Sequence, residues 1–163
     1  MKRRNCVSCD LGKADLKGAD LKGAFLQGAD LQGSDLSQAN LKNAKFYKAK
    51  LAGSNLMGAD LQNAILEQTD LSGSNLAGAN MLKAYMDQAN LADCNLREAD
   101  LRQAYMVGAF LNGADFTGAD LRKANLFGAN HIGIKLEKTL LEGARWFNGH
   151  ICKPGSIGRC ILE

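Results

Sequence analysis

The sequence predicts a repeat solenoid, in which a short unit recurs along the chain and stacks on its neighbours. Three observations predict this fold class. An apolar centre recurs every five positions from Leu11 to His131, a small residue precedes each centre by two positions, and unusual residues recur every 20 positions. The chain has 163 residues, of which 46% are hydrophobic, and a formal charge of +3, which suits a single domain.

The five-residue period is the first of these observations. Leu occupies 19 of the 25 centres, Ala occupies 19 of the 25 small positions, and Asp or Asn directly precedes 18 of the 25 centres. Asp and Asn accept turn conformations and bond their own backbone, and Gly often follows a centre by two positions. A spacing of five fits neither an amphipathic helix nor a strand, so the chain must turn once every five residues.

The repeating unit resembles a known family. The segments Ala14-Asp15-Leu16-Lys17-Gly18 and Ala119-Asp120-Leu121-Arg122-Lys123 are similar to the A(D/N)LXX motif of pentapeptide-repeat proteins. This resemblance implies an all-β fold, a right-handed quadrilateral parallel β-helix with four pentapeptides per coil and with the Ala and Leu side chains inside. It implies little about function, because the motif describes a core.

Two ladders of unusual residues favour a coil of 20 residues. Five of the seven positions before a centre that lack Asp or Asn lie 20 apart, and exceptions at the small position follow the same step. A three-sided coil would scatter both sets over different sides. The first ladder is Phe25, Lys45, Ile65, Tyr85 and Tyr105, and the second is Ser34, Ser54, Ser74 and Cys94.

The two ends depart from the repeat. Open β-helix ends expose unpaired backbone and apolar core, so solenoids need capping segments. We expect an N-terminal cap at 1–8, the repeat β-helix at 9–131, a degenerate coil at 132–148 and a Cys-containing cap at 149–163. An amphipathic helix over 135–145 is a weaker alternative, because Gly143 disfavours it.

The five cysteines divide by position. Cys94 occupies a small inward position, where it should pack as a small hydrophobe. Cys6 and Cys9 near one end, and Cys152 and Cys160 near the other, suit disulfides, reduced thiols, or redox or metal chemistry. The two pairs cannot share a metal ion, because about seven coils at strand spacing separate them. We expect disulfides at the ends and no cofactor.

Both cysteine segments resemble exported members of the family, from the cyanobacterial periplasm or thylakoid lumen and from the plastid lumen. The resemblance implies such a compartment if the chain is a processed form, because no export signal precedes the repeats; otherwise it implies the cytoplasm. No apolar run is long enough to cross a membrane, so membrane insertion is not expected. The segments are Cys6-Val7-Ser8-Cys9-Asp10-Leu11 and Trp146-Phe147-Asn148-Gly149-His150-Ile151-Cys152.

No residues form a convincing catalytic set. The two histidines, His131 and His150, lie near the C-terminal end, and His131 occupies an inward centre that favours packing. The Asp residues before centres exchange with Asn, which general acid–base roles would not tolerate. A rod filled with Ala and Leu should leave no cavity for a substrate. The sequence therefore predicts a protein that is not an enzyme.

Outward positions offer a candidate partner face. Aligned aromatic side chains can support one another along a ladder, or they can form an apolar surface for a partner or a second copy. Phe110 lies on an adjacent side, and a further side alternates Lys or Arg with Asp, which is typical of a solvated surface. The candidate residues are Phe25, Lys45, Tyr47, Ile65, Tyr85, Tyr105, Val107 and Phe127.

Two functions from different classes remain. The first is a structural or interaction module, a monomer or weak homodimer that binds an unidentified protein and no nucleic acid. The second is a DNA mimic, because some pentapeptide-repeat proteins resemble duplex DNA and act on DNA gyrase. A mimic needs an acidic surface, and this chain has 20 Lys plus Arg against 17 Asp plus Glu. The charge balance therefore favours the interaction module.

Overall fold

The computed structural model describes residues 5–162 as a stack of short bridged segments. Each five-residue unit contributes one β-bridge residue and a two-residue turn, and none of the described residues is helical. The weaker alternative of a helix over 135–145 is therefore wrong, since these residues continue the bridge-and-turn pattern. Parts of the two expected caps, residues 1–4 and 163, lie outside the described residues.

The bridges are parallel and join residues 20 positions apart, from Asn5 with Phe25 to Asn125 with Arg145. They form four ladders, and each ladder runs along one side of the stack. We name the sides by one member of each ladder: the Tyr85 side, the Phe110 side, the Asn75 side and the Asp100 side. Following the chain, the sides occur in that order.

The turns explain the glycines of the repeat. The residue two positions after each centre has a positive φ, as in Gly53 at 65° and Lys83 at 57°. Glycine adopts this left-handed conformation without steric cost, whereas in other residues it brings the Cβ atom too close to a backbone carbonyl oxygen. Many of these positions nevertheless carry Lys, Gln or Asn. The repeated bonding of the coil therefore holds non-glycine residues in the left-handed conformation.

The Asp and Asn residues before the centres close these turns. The Asp35 carboxylate accepts a hydrogen bond from the Ser37 amide at 2.9 Å, and Asn75 Oδ1 accepts one from the Ala77 amide at 3.2 Å. Asn can also donate, and Asn95 Nδ2 bonds Asn75 Oδ1 in the coil before it at 3.1 Å. Asp and Asn thus exchange because both accept at the turn, while Asn adds a bond between coils.

The core fills the interior of the stack. Inward Leu and Ala side chains from Ala24 to Leu126 are at most 2% exposed, whereas Leu11, Leu16 and Leu21 in the first described coil are only partly buried. Burial raises the pKa of the Cys94 thiol to about 12, and its Sγ donates to the Leu71 carbonyl at 2.9 Å. Cys94 is therefore an unreactive packing residue.

The chain reverses direction after Arg145. Residues 150–158 run antiparallel to the last coil, with bridges from Arg145 to Ile151 and from Leu140 to Ile157. Disulfides join Cys152 to Cys160, with Cα atoms 5.0 Å apart, and Cys6 to Cys9, with Cα atoms 5.1 Å apart.

His131 differs from the expectation of a packed inward residue. It is exposed, although its ring stacks on Phe147 at a centroid distance of 3.8 Å. No complete coil lies above it in the described chain, because the polypeptide reverses before rebuilding that side.

Candidate protein-binding face

The aromatic face comprises the eight candidate residues of the sequence analysis. Those on the Tyr85 ladder project from the middle of that side, and Tyr47, Val107 and Phe127 follow at the corner after it. The five aromatic members are between 38% and 43% exposed, whereas Lys45, Ile65 and Val107 are half-buried. The side chains point outward because bridge residues alternate with the inward Ala and Leu positions.

The structure brings these side chains together in pairs. The Tyr85 and Tyr105 rings stack at a centroid distance of 5.1 Å with planes within 2°. The Lys45 Nζ lies 4.7 Å from the centre of the Phe25 ring. Each pair joins consecutive members of the ladder, and Ile65 lies between the two pairs on that ladder. The aromatic face therefore consists of ordered clusters rather than an unbroken row of rings.

Tyr47 belongs to a polar part of the face. Its hydroxyl donates to Gln68 Oε1 at 3.3 Å, and the Lys48 Nζ lies 5.2 Å from its ring centre. Val107 takes part in this polar region through its backbone, because its amide donates a hydrogen bond to Asp87 Oδ1 at 2.8 Å. These bonds fix the corner next to the Tyr85 side.

Sequence reasoning named Lys45 but missed two further cations that lie over rings, Arg145 and Lys48. The Arg145 guanidinium carbon lies 4.7 Å from the centre of the Phe127 ring, in the range of a cation–π contact. Arg145 lies 20 positions after Asn125 on the Tyr85 ladder, so extending the 20-residue step beyond 131 would have found it. Lys48 has no comparable signal, because it occupies an ordinary turn position.

The ring geometry determines what the face can bind. Because Tyr85 and Tyr105 stack between adjacent coils with nearly parallel planes, each ring covers one face of the other. Cations cover Phe25 and Phe127 in the same manner. The aromatic face thus combines aromatic rings, tyrosine hydroxyls and positive charge on one surface.

A family model for pentapeptide repeats matches the chain in eight copies, over residues 5–38, 26–63, 54–93 and 94–130. The chain belongs to the pentapeptide repeat family. The prediction from its A(D/N)L units is therefore confirmed. Pentapeptide repeat proteins form right-handed quadrilateral β-helices and are generally non-enzymatic structural modules, and no catalytic family is indicated.

Solved pentapeptide repeat structures resemble this chain. A trypsin-treated form of QnrB1, a plasmid-mediated fluoroquinolone resistance protein, is 20% identical, with 80% of this chain and 68% of that chain covered and a TM-score of 0.60. HetL, involved in heterocyst differentiation regulation in the cyanobacterium Nostoc sp. strain PCC 7120, is 26% identical, with 92% and 94% covered and a TM-score of 0.46. A search of curated proteins found no match. The QnrB1 likeness supports the fold of this pentapeptide repeat chain.

The Asp100 side of this pentapeptide repeat protein is a neutralised surface. Arg102 donates to both carboxylate oxygens of Asp100, at 2.8 and 2.6 Å, and Arg122 binds Asp120 in the same manner. The Arg102 hydrogen bond holds the pKa of the Asp100 carboxyl below its ordinary value. The alternating charges are thus paired on the surface, as expected of a solvated face.

Two grooves lie on the surface of the described residues. One of about 610 Å³ lies where the C-terminal segment meets the last coil, beside Glu142, His150 and Lys153. Among residues 5–162, no three His, Cys, Asp or Glu side chains are grouped to hold a metal ion. The same part of the chain has no helix long and apolar enough to cross a membrane.

Proposed function

We propose that this pentapeptide repeat protein is a non-enzymatic interaction module that binds another protein through the aromatic face. In this proposal the chain forms a right-handed four-sided rod with 20 residues per coil. Its parts are an N-terminal cap at 1–8, repeats at 9–131, a degenerate coil at 132–148 and a C-terminal cap at 149–163. It also takes the protein as a monomer or weak homodimer. The observation that carries the proposal is the ladder of exposed aromatic side chains.

The order of the face supports binding. Tyr85 and Tyr105 are already stacked, and cations already cover Phe25 and Phe127, so these side chains lose little conformational freedom when a partner docks. Tyrosine and arginine are also the residue types that most often dominate binding energy at protein interfaces. The aromatic face therefore combines suitable chemistry with a rigid arrangement.

Mutual support along the ladder is the competing explanation. Stacked side chains stabilise neighbouring strands in any sheet. Support alone accounts for the Tyr85–Tyr105 stack, but at the adjoining corner Tyr47 and Phe127 stack on no ring among the described residues and are 38% and 43% exposed. Exposed rings both on the Tyr85 ladder and at the corner after it favour an interface.

The double variant Tyr85→Ser, Tyr105→Ser tests the proposal. A partner recovered with the unaltered protein is purified, and its Kd is measured by calorimetry for both proteins. We expect the double variant to bind at least about tenfold more weakly, since interface tyrosines commonly contribute more than 1 kcal/mol each. Circular dichroism checks that the rod remains folded.

A matched control uses exposed apolar residues away from the face. The double variant Phe110→Ser, Met57→Ser removes side chains that are 50% and 46% exposed. It should bind the partner as the unaltered protein does. Equal binding by the unaltered protein and the tyrosine double variant would overturn the proposal.

We further propose that the protein works in an oxidising compartment, the periplasm or the thylakoid lumen. The two disulfides at the ends support this, because such bonds persist outside reducing compartments. Intact mass after acid quenching and thiol alkylation of protein from native cells is the test. We expect one reactive thiol after denaturation, from Cys94, and five reactive thiols would place the protein in the cytoplasm instead.

Mimicry of DNA at gyrase is the less favoured function. A mimic needs uncompensated negative charge, and Asp100 and Asp120 are instead paired with Arg102 and Arg122. A gyrase supercoiling assay distinguishes the two functions. We expect no effect of the protein on supercoiling, and inhibition or protection of gyrase at low micromolar protein would reverse the ranking.

A further inference from the structure

Within residues 5–162, the C-terminal segment bonds two of the four sides of the rod. Residues 150–158 lie on the Tyr85 side and the Asp100 side of the last coil. Five backbone groups of that coil receive them: the amides of Trp146, Gly143 and Leu141 donate at 2.7, 2.8 and 2.9 Å, and the carbonyls of Ala144 and Thr139 accept at 2.9 Å. The segment therefore acts as an antiparallel strand added to an edge.

On the other two sides, the five equivalent backbone groups belong to residues ten positions earlier in the chain. They are the amides of Leu136, Gly133 and His131 and the carbonyls of Ile134 and Ala129, on the Asn75 side and the Phe110 side. Within residues 5–162, no hydrogen bond reaches the three amides or the Ile134 carbonyl, and the Ala129 carbonyl meets only His131 Nδ1 at 3.3 Å. We call residues 129–138 the open edge.

Apolar side chains accompany these unpaired groups. Ile132 is 75% exposed, and Ile134 and Leu136 are only partly buried although they occupy inward positions of the repeat. An edge that combines unpaired backbone groups with apolar side chains is a template for another strand. The open edge therefore has both components of a strand-binding site.

The charges at the open edge favour an acidic ligand. The Lys135 ammonium is 4.0 Å from Asp115 Oδ2, but the same oxygen is 3.3 Å from the Arg97 guanidinium. One carboxylate therefore faces two cations, which leaves a positive charge beside the middle of the edge. Lys138 adds a second cation, whereas Glu137 is the one acidic residue in the edge.

We propose that the open edge binds an extended acidic peptide segment of a partner protein, which adds as a strand over the Phe110 and Asn75 sides. The covered half of the same coil shows that this bonding pattern accepts an extended chain, and nine residues, 150–158, suffice to cover two sides. Backbone bonds would supply affinity and Lys135 would supply charge selectivity. This site is separate from the aromatic face.

A second copy of the chain fits the open edge less well than a single strand. The covered half already carries an additional layer of chain over the last coil. A flat coil end from another rod would meet that layer before it reached the open edge, which lies one strand spacing lower. A lone extended segment avoids this layer and ends where Gly158 borders the open edge, since a Cβ on Gly158 would lie 3.3 Å from the Leu136 carbonyl oxygen.

The test uses the full chain and two synthetic nine-residue peptides, one alternating Glu with Val and one alternating Lys with Val. Binding is measured by titration, and its location by amide NMR shifts and hydrogen exchange. We expect the Glu peptide to bind at least about tenfold more tightly than the Lys peptide. Protection should appear at the amides of Leu136, Gly133 and His131.

Three variants separate the site from general effects. Lys135→Glu should reverse the preference between the two peptides, which a purely structural role of Lys135 would not do. Leu136→Pro removes one unpaired amide, whereas Leu136→Ala retains it, so the Pro variant should bind the Glu peptide about five- to tenfold more weakly than the Ala variant. Both lose the same leucine side chain, which controls for local packing.

Two results would overturn the proposal. One is that neither peptide protects the amides of the open edge, or that the Glu peptide binds elsewhere on the rod. The other is protection of the Leu136 amide that rises with protein concentration in the absence of peptide, because this would show that a second copy covers the open edge.

Discussion

The middle of the rod and its C-terminal end are built from the same repeat but differ in what covers them. A coil in the middle has a neighbour above and below, and inward side chains such as Leu76 and Leu96 are fully buried. The last coil has a neighbour on one face and an antiparallel strand over two sides of the other. In solenoids, stability is a sum of contacts between neighbouring units. The middle of the rod therefore serves structure, whereas the C-terminal end keeps backbone and side chains available for binding.

The largest expected difference in stability between the two regions comes from truncating one inward leucine side chain in each. Leu76→Ala removes a fully buried side chain and should lower the free energy of unfolding by about 3 kcal/mol. Leu136→Ala removes a partly buried side chain. It should lower the free energy of unfolding by about 1 kcal/mol, because folding buries less apolar surface at Leu136 than at Leu76. Urea unfolding followed by circular dichroism measures both. Equal losses would contradict the distinction between the middle and the end.

The second prediction concerns the disulfide of the C-terminal segment. The double variant Cys152→Ser, Cys160→Ser opens a short loop and should destabilise the segment by about 2–3 kcal/mol. Hydrogen exchange should accelerate at the Gly143 and Leu141 amides, which bond this segment, and stay unchanged at the Leu76 amide in the middle. Uniform acceleration along the rod would instead show that the segment supports every coil.

A control for this prediction lies at the other end. The double variant Cys6→Ser, Cys9→Ser removes the second disulfide and leaves the C-terminal segment intact. Exchange at the Gly143 and Leu141 amides should then match that of the unaltered protein.

The structure of the middle of the rod could be predicted from the sequence better than that of its C-terminal end. The inward side chains of the middle follow from the five-residue period together with the family resemblance, which implies that the Leu and Ala positions of the motif face inward. The segment after Arg145 has no period, so neither its antiparallel direction nor its cover of only two sides could be deduced. His131 illustrates the limit, because its register predicts an inward side chain, but the missing coil above leaves it exposed.

The candidate face was predictable only in part. The 20-residue step brings Tyr85 and Tyr105 together, and the structure stacks them. The cations over the rings depend on rotamers of long side chains, which periodicity does not specify, as the Lys48 contact with Tyr47 shows. The family match, in turn, describes the core positions and leaves the partner open.

The third prediction tests the turns of the middle. Gly53 has a φ of 65°, and an added Cβ would meet nothing within 4 Å. Gly53→Ala should therefore destabilise the rod by about 1 kcal/mol through backbone strain alone. Gly53→Asn is the control, because Asn tolerates the left-handed conformation and should cost less. Urea midpoints measure both, and equal costs would point to a cause other than φ.

The smallest effect is expected from pH. Hydrogen bonds from Ser37 lower the pKa of Asp35 below its ordinary value of 3.8, and Arg102 lowers that of Asp100 in the same direction. Groups with depressed pKa values in the folded state add stability above the unfolded pKa and lose it as the pH falls through the folded value. The urea midpoint should therefore be lower at about pH 3 than at about pH 6.

The variant Asp100→Asn isolates one of these groups. Its side chain has no carboxyl proton to gain, so the fall in the urea midpoint between about pH 6 and about pH 3 should be smaller than in the unaltered protein. Because Asp100 lies on the surface beside Arg102, solvent screening keeps the effect small. An unchanged pH dependence would show that the ionised Asp100 carboxylate beside Arg102 adds no stability to the coils.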